Sequence, residues 1–241
     1  MKRRDFIANS AAMGMLLATC ESPLNASRES GGGAGASDTS GVRKLVPPTN
    51  GSIPVAFAIS DSVTIIDFCG PWEVFQDVAS DSRASAFNLY TVSENTEPLR
   101  GTGGLRLVPD FSFETAPAPK IVVVPAQRGS SALHQWLRKI SPKTDVTMSV
   151  CTGAFQLAKA GLLSGMSATT HHDFVDQLAK SYPDINVKRG LRFVEGDRIS
   201  TAGGLTSGID LALRVVERYF GRLTAQTTAD YMEYQSKGWI V

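Results

Sequence analysis

Charge of one sign, long apolar runs, cysteine and histidine are all scarce in this chain of 241 residues. Lysine plus arginine number 24 and aspartate plus glutamate 23, so the net charge is +1. No Lys/Arg run follows the first residues, and nucleic acid is not an expected partner. The apolar stretch from Ala11 to Ala18 falls well short of the ~20 residues that a membrane span needs. The cysteines are Cys20, Cys69 and Cys151. If Cys20 is lipidated or removed, the remaining pair makes no disulfide framework. The His171-His172 pair invites a metal, but no further Cys or His stands at metal-site spacing. No internal repeat is present, and no metal or organic cofactor is implied.

What is present begins with a leader. Lys2, Arg3 and Arg4, then Phe6 and the short apolar run, read as an export signal of twin-arginine type over residues 1–26. Leu17-Ala18-Thr19-Cys20 looks like a lipobox, with Thr19 where Gly, Ala or Ser is usual. A lipoprotein anchored through Cys20 and a freely soluble exported protein both fit. Residues 27–50 are rich in Gly, Ser and Ala, centred on Gly31-Gly32-Gly33, and read as a flexible tether. The expected location is therefore exported, in the periplasm.

Residues 51–241 alternate strand and helix patterns. Ile53–Ile59, Phe87–Val92, Ile121–Val124 and Val146–Val150 read as strands. Leu105–Phe113 reads as an edge hairpin, and a second hairpin turns at Glu195-Gly196-Asp197. Helices are expected over Trp72–Val78 after Gly70-Pro71, Ser130–Ile140, Thr152–Leu163, Asp173–Tyr182, Ser207–Phe220 and Thr224–Gln235. This order predicts an α/β three-layer sandwich, with a mostly parallel sheet between helices on both faces.

One segment carries chemistry. Val146 to Phe155 reads strand, Cys151, Thr152-Gly153, helix, which is a nucleophile elbow with Cys in place of Ser. A helix N-terminus beside the sulfur favours thiolate. Its N–H groups, that of Thr152 among them, would hold a developing anion. The bland alternative is a buried, inert cysteine packed as a small hydrophobe.

The blocks Ser149-Val150-Cys151-Thr152-Gly153, Ala160-Gly161-Leu162-Leu163 and Ala168-Thr169-Thr170-His171 resemble the ThiJ/PfpI superfamily, which has a flavodoxin-like, class I glutamine amidotransferase-like fold. The resemblance is strongest to its isonitrile hydratase-like branch. Asp67-Phe68-Cys69-Gly70-Pro71 is similar to that branch's acidic loop, and Thr201-Ala202-Gly203-Gly204 with Gly208-Ile209-Asp210 to its late Gly-Gly turn. The resemblance implies a carboxyl at Asp67 facing Cys151, a His171 near the cysteine, and a homodimer. Where relatives carry Pro-Gly-Gly, this chain has Pro125-Ala126-Gln127-Arg128-Gly129; Gly129 is the expected backbone donor there. Cys69, two residues after Asp67, would be a reversible redox partner for Cys151 if the loop brings them together, or a packed, unreactive residue if it points away. His172 and His134 read as ordinary surface or helix residues.

Three functions follow. The first is an isonitrile hydratase-like lyase acting on a small molecule without a cofactor: Cys151 attacks the terminal carbon to form a thioimidate, and Asp67 moves protons and activates water. The second is a glyoxalase- or deglycase-like activity on small dicarbonyls, with His171 as base. The third is a periplasmic ligand-binding or redox-sensing domain, since similar domains occur in AraC-type regulators.

Overall fold

The computed structural model describes residues 42–78 and 85–241. The chain divides into two units, Met1–Gly33 and Ala34–Val241, and every described residue lies in the second. The expected signal over residues 1–26, Cys20 and the tether as far as residue 41 lie outside the described residues.

The elements run β1 (Ile53–Ala58), α1 (Ile65–Gln76), β2 (Phe87–Ser93), β3 (Leu99–Arg100), β4 (Arg106–Leu107), β5 (Phe111–Ser112), β6 (Ile121–Val124), α2 (Ser131–Ile140), β7 (Val146–Ser149) and α3 (Gly153–Lys159). They continue with β8 (Ser167–Ala168), α4 (Val175–Ser181), β9 (Asn186–Val187), β10 (Phe193–Val194), β11 (Ile199–Ala202), α5 (Ser207–Phe220) and α6 (Arg222–Tyr231). Seven strands form one sheet in the order β10-β11-β7-β6-β1-β2-β5. Every pairing in it is parallel except β10 with β11.

The apolar runs behave as central parallel strands should. All four residues of β6 are inaccessible to solvent, which a strand covered on both faces requires. Side chains alternate between two cores. Val55, Phe57, Val123 and Met148 pack with Phe75 of α1, Leu211 of α5 and Ala225 of α6. Ala56, Ala58, Val122 and Val124 pack on the opposite face with Leu137 of α2 and Leu157 of α3. The three-layer sandwich expected from the sequence is present.

Several local readings differ. Helix α1 begins at Ile65, not after Pro71. Asp67 and Cys69 are thus helical, and Pro71 sits inside the helix, where its missing N–H leaves the Asp67 carbonyl out of the ladder. The stretch Leu105–Phe113 is no hairpin: Arg106–Leu107 pairs backwards with Leu99–Arg100, and Phe111–Ser112 joins the main sheet beside β2. The tether does not reach residue 50 as expected. Leu45 is buried in a core, its N–H donates to the Arg218 carbonyl at 2.8 Å, and Arg43 pairs with Asp197 at 2.9 Å. Helix α3 ends at Lys159 and α6 at Tyr231, both earlier than expected. The segment after α6 folds back and buries Trp239.

Two close approaches fix the layers. A Cβ on Gly208 would stand 2.8 Å from Val150 and 3.3 Å from the Pro71 ring, so α5 packs tightly over α1 and the end of β7. A Cβ on Gly153 would stand 2.1 Å from the Val124 carbonyl oxygen and 2.9 Å from Pro125. The helix after the elbow therefore lies directly against β6. We expect Gly153→Ala to lose at least about 2 kcal/mol in urea unfolding, because the obstacle is backbone and cannot rotate away. An unchanged midpoint would refute this packing.

Candidate active site

Strand β7 ends with the Val150 N–H donating to the Val124 carbonyl at 3.0 Å. Cys151 then takes φ +57°, a left-handed conformation uncommon outside glycine. Its backbone is held at both ends. The Cys151 N–H donates to the Gly203 carbonyl at 2.8 Å, and the Thr170 hydroxyl donates to the Cys151 carbonyl at 2.9 Å. The late Gly-Gly turn and the Thr-Thr-His stretch are thus the two braces of the elbow.

Asp67 comes to the thiol from α1. It is fully buried, and its Oδ2 accepts the Ala126 N–H at 3.1 Å. The Cys151 thiol interacts with the same carboxyl and favours its charged form. Even so, Oδ1 has no partner of ordinary hydrogen-bond geometry among the described residues. Burial outweighs both favourable contacts and raises the Asp67 pKa to about 6.

The sulfur is not a ready thiolate, contrary to the expectation from a helix N-terminus. Burial, and next the Asp67 charge, push the Cys151 pKa up to about 11. Hydrogen bonds from the backbone of Thr152 and Leu205, and from the Thr152 side chain, pull it back only in part. The helix after the elbow is also short, seven residues. At neutral pH the pair holds one proton, on sulfur, beside a carboxylate. Thr152 is where the sequence put it. Leu205 was missed: it follows Gly203-Gly204 and reaches the sulfur by taking φ +51°, which no composition or spacing signal marks.

His171 enters the wall of a cleft of about 310 Å³, together with His172, Arg192, Leu205 and Thr206. Its ring fills the place of a Gly204 side chain, since a Cβ there would stand 2.4 Å from the ring. Its Nδ1 accepts the Asp173 N–H at 3.3 Å. The neutral ring then carries its proton on Nε2 and offers a donor rather than a free base. Cys151, 7% exposed, lies behind this wall and lines neither cleft.

Two expected site residues stand elsewhere. Gly129 does not serve the sulfur: its N–H donates to the Ser60 hydroxyl at 3.0 Å. It lines a second cleft, of about 290 Å³, with Ser60, Asp61 and Arg128. Gln156 packs 2.1 Å from where its Cβ would be. The loop donor that matters is Ala126, and it serves Asp67. Cys69 is a free, half-buried thiol. On a helix it lies about 200° round from Asp67. Burial and Glu73, one turn on, raise its pKa. Residues two apart on a helix do not face one another, so the loop that would have carried Cys69 with Asp67 to Cys151 is absent.

A buried cysteine at a strand-to-helix elbow, faced by a carboxyl from the first helix of a parallel sheet, defines a class of α/β proteins. The chain belongs to the DJ-1/PfpI family, whose model matches residues 54–218. It is 30% identical over 189 residues to an isonitrile hydratase of Pseudomonas putida, covering 76% of this chain and 79% of that one. It is also 30% identical over 161 residues to the transcriptional regulator CdhR of Pseudomonas aeruginosa, covering 64% of this chain and 48% of the regulator. The chain thus spans about half of that regulator. Among solved structures, a ThiJ/PfpI family protein from Pseudomonas syringae superposes with a TM-score of 0.66 at 25% identity, over 77% of this chain and 76% of that one.

Two outcomes test the coupled pair. Asp67→Asn removes the charge that opposes thiolate, so Cys151 should titrate lower and react faster with iodoacetamide at pH 8, about tenfold per unit of pKa. A slower or unchanged rate would break the coupling. The folded pKa of Asp67, about 6, lies above the unfolded carboxylate value. Its penalty is therefore absent below about pH 4 and grows as pH rises through 6. Asp67→Asn should gain on the order of 2–3 kcal/mol at pH 8 and nothing at pH 4, read by chemical denaturation.

Proposed function

We propose that this protein is an isonitrile hydratase-like lyase, with Cys151 as nucleophile and Asp67 as proton carrier. The observation that carries this reading is the buried Asp67–Cys151 pair, a protonated thiol hydrogen-bonded to a carboxylate. A base whose pKa lies near neutrality is matched to taking a proton from a neutral thiol. An isonitrile ends in a linear, two-atom tip. That tip is slender enough for a thiol exposed only 7%.

The steps balance. Sulfur bonds to the terminal carbon as Asp67 takes the thiol proton, and Asp67 returns it to that carbon, giving an S-linked thioformimidate. Water then adds to the same carbon. Asp67 accepts a proton from the water and passes it to nitrogen. The carbon–sulfur bond breaks, the second water proton returns to sulfur, and an N-substituted formamide leaves. The N–H groups of Thr152 and Leu205 and the Thr152 side chain hold the sulfur whenever it carries charge. Among the described residues no hydrogen bond joins His171 to Cys151, and its Nδ1 is engaged by the Asp173 N–H, which weakens the dicarbonyl reading. Within this reading the protein works as an exported homodimer in the periplasm, as its leader and its family resemblance suggest.

A second reading has its own support: a non-catalytic ligand-binding domain. The thiol is held protonated and lies behind the cleft wall, and half of a regulator's length is similar to this chain. Incubation with benzyl isonitrile, followed by mass spectrometry for N-benzylformamide, separates the two. We expect turnover, with kcat/KM rising through pH 6 as Asp67 ionises. Cys151→Ala and Asp67→Asn should each lose at least about a hundredfold. No formamide, together with isonitrile binding that is equal in wild type and Cys151→Ala, would reject the enzyme and favour the binding domain.

A further inference from the structure

The strongest feature that the Cys151 chemistry does not use stands at the mouth of the larger cleft. His171, His172 and Asp173 are consecutive, and each offers a ligand atom; all these atoms lie within 4.8 Å of one another. No further Cys or His accompanies the histidine pair at metal-site spacing in the sequence. The missing third ligand is a carboxylate, and it is the next residue.

The set gathers the ligand types an ion needs in one place. A tetrahedral ion with bonds of about 2.1 Å sets its ligand atoms about 3.4 Å apart. His172 Nε2 lies 3.1 Å from Asp173 Oδ1, and His171 Nδ1 lies 3.7 Å from Asp173 Oδ2. The two contacts use different carboxylate oxygens, and with one atom from each residue the set lies within 4.8 Å, wider than this edge, so side-chain rotation must draw it together. Two imidazoles and a carboxylate suit a borderline divalent ion such as Zn²⁺ or Co²⁺, and not calcium or magnesium, which take oxygen.

The backbone fixes the set. His171 caps the 3₁₀ turn His172–Phe174 that leads into α4, and its side chain is wedged against Gly204. His172 and Asp173 have side chains 83% and 67% exposed, so an ion reaches them from solvent and small rotations close the triangle. The rings of His171 and His172 already stack at 4.3 Å. The one bond that binding would break is the 3.3 Å contact from the Asp173 N–H to His171 Nδ1, which is long for its type. Three protein ligands leave a fourth position open, as at ion sites that take a water or a small ligand. His171 and His172 both line the cleft, so the set stands where a small molecule would enter.

We propose that His171, His172 and Asp173 form a divalent transition-ion site at the mouth of this cleft. The proposal is independent of the hydratase reading.

The test uses Cys151→Ala protein, so that the nucleophile itself binds no ion, and titrates it with Zn²⁺ by calorimetry and with Co²⁺ by visible absorption. We expect one equivalent per chain and an intense d–d band of low-coordinate Co²⁺. His172→Ala and Asp173→Asn should each weaken binding by at least about tenfold with unchanged thermal unfolding, since both side chains are exposed. Absent Zn²⁺ binding, or binding of undiminished affinity in both variants, would overturn the site. A pale, octahedral Co²⁺ spectrum that is the same in all three proteins would overturn it equally.

Discussion

The helix after Cys151 can begin only because Gly153 lets it lie on the Val124 carbonyl, where a Cβ would be 2.1 Å away. This contact decides how deep the elbow sits. With α3 pressed on β6, the chain must turn within Cys151 itself, and the residue takes a left-handed φ of +57°. Such a conformation persists where surrounding structure over-determines it. Here the bonds to Gly203 and from Thr170 supply that surrounding. The sulfur is thereby placed under the first turn of α3 and against α1, not at the protein surface. Its burial follows from a backbone contact, and its acidity follows from its burial.

Three influences on the thiol compete, and their order decides the resting state. Desolvation is the largest, the negative Asp67 is next, and the N–H groups of Thr152 and Leu205 oppose both without overcoming them. The helix-terminus argument for a preformed thiolate is sound in sign, but burial and the neighbouring carboxylate outweigh the N–H groups there. The same carboxylate is raised by its own burial. Asp67 makes the thiol harder to ionise, while the thiol's hydrogen bond favours the charged carboxyl, so the proton rests on sulfur. A thiol held protonated is protected from adventitious oxidants, which attack thiolate.

Much of this was legible. The central strands announce themselves as β-branched runs, and β-branching with burial on both faces leaves few alternatives to a parallel sheet. Cys151 and Thr152 sit where strand, Gly153 and helix require them. Asp67 was found only through resemblance, and its setting was misread. Pro71 looks like a helix start, yet α1 begins at Ile65 and continues through it. That misreading carried Cys69 with it, since a loop would bring positions 67 and 69 to one side and a helix separates them. Gly129 was misplaced for a different reason. Its positive φ and the Gln156 contact serve the loop's own shape, and local sequence does not reveal which neighbour takes an N–H. Leu205 was invisible because a backbone N–H is the same in every residue but proline.

The position of Leu205 rests on the chain's last residues. Arg192 bonds the fully buried Asp210 through Nε at 2.6 Å and reaches Thr206, the residue after Leu205. Asp210 in turn accepts from the Ser236 hydroxyl at 3.0 Å, and the single Tyr234 hydroxyl proton is shared between Asp210 at 3.2 Å and the Thr206 carbonyl at 3.3 Å. Gly238 passes so close that a Cβ would stand 3.1 Å from Asp210 and 3.2 Å from Arg192. Asp210 is the fully buried member, and a half-satisfied network around a buried carboxylate is costly. The returning tail, pinned by Trp239 in the core, therefore holds the turn that supplies one of the sulfur's two backbone donors. The elbow is set from beneath by β6 and from above by a segment some eighty residues later in the chain. The chemistry at Cys151 depends on both.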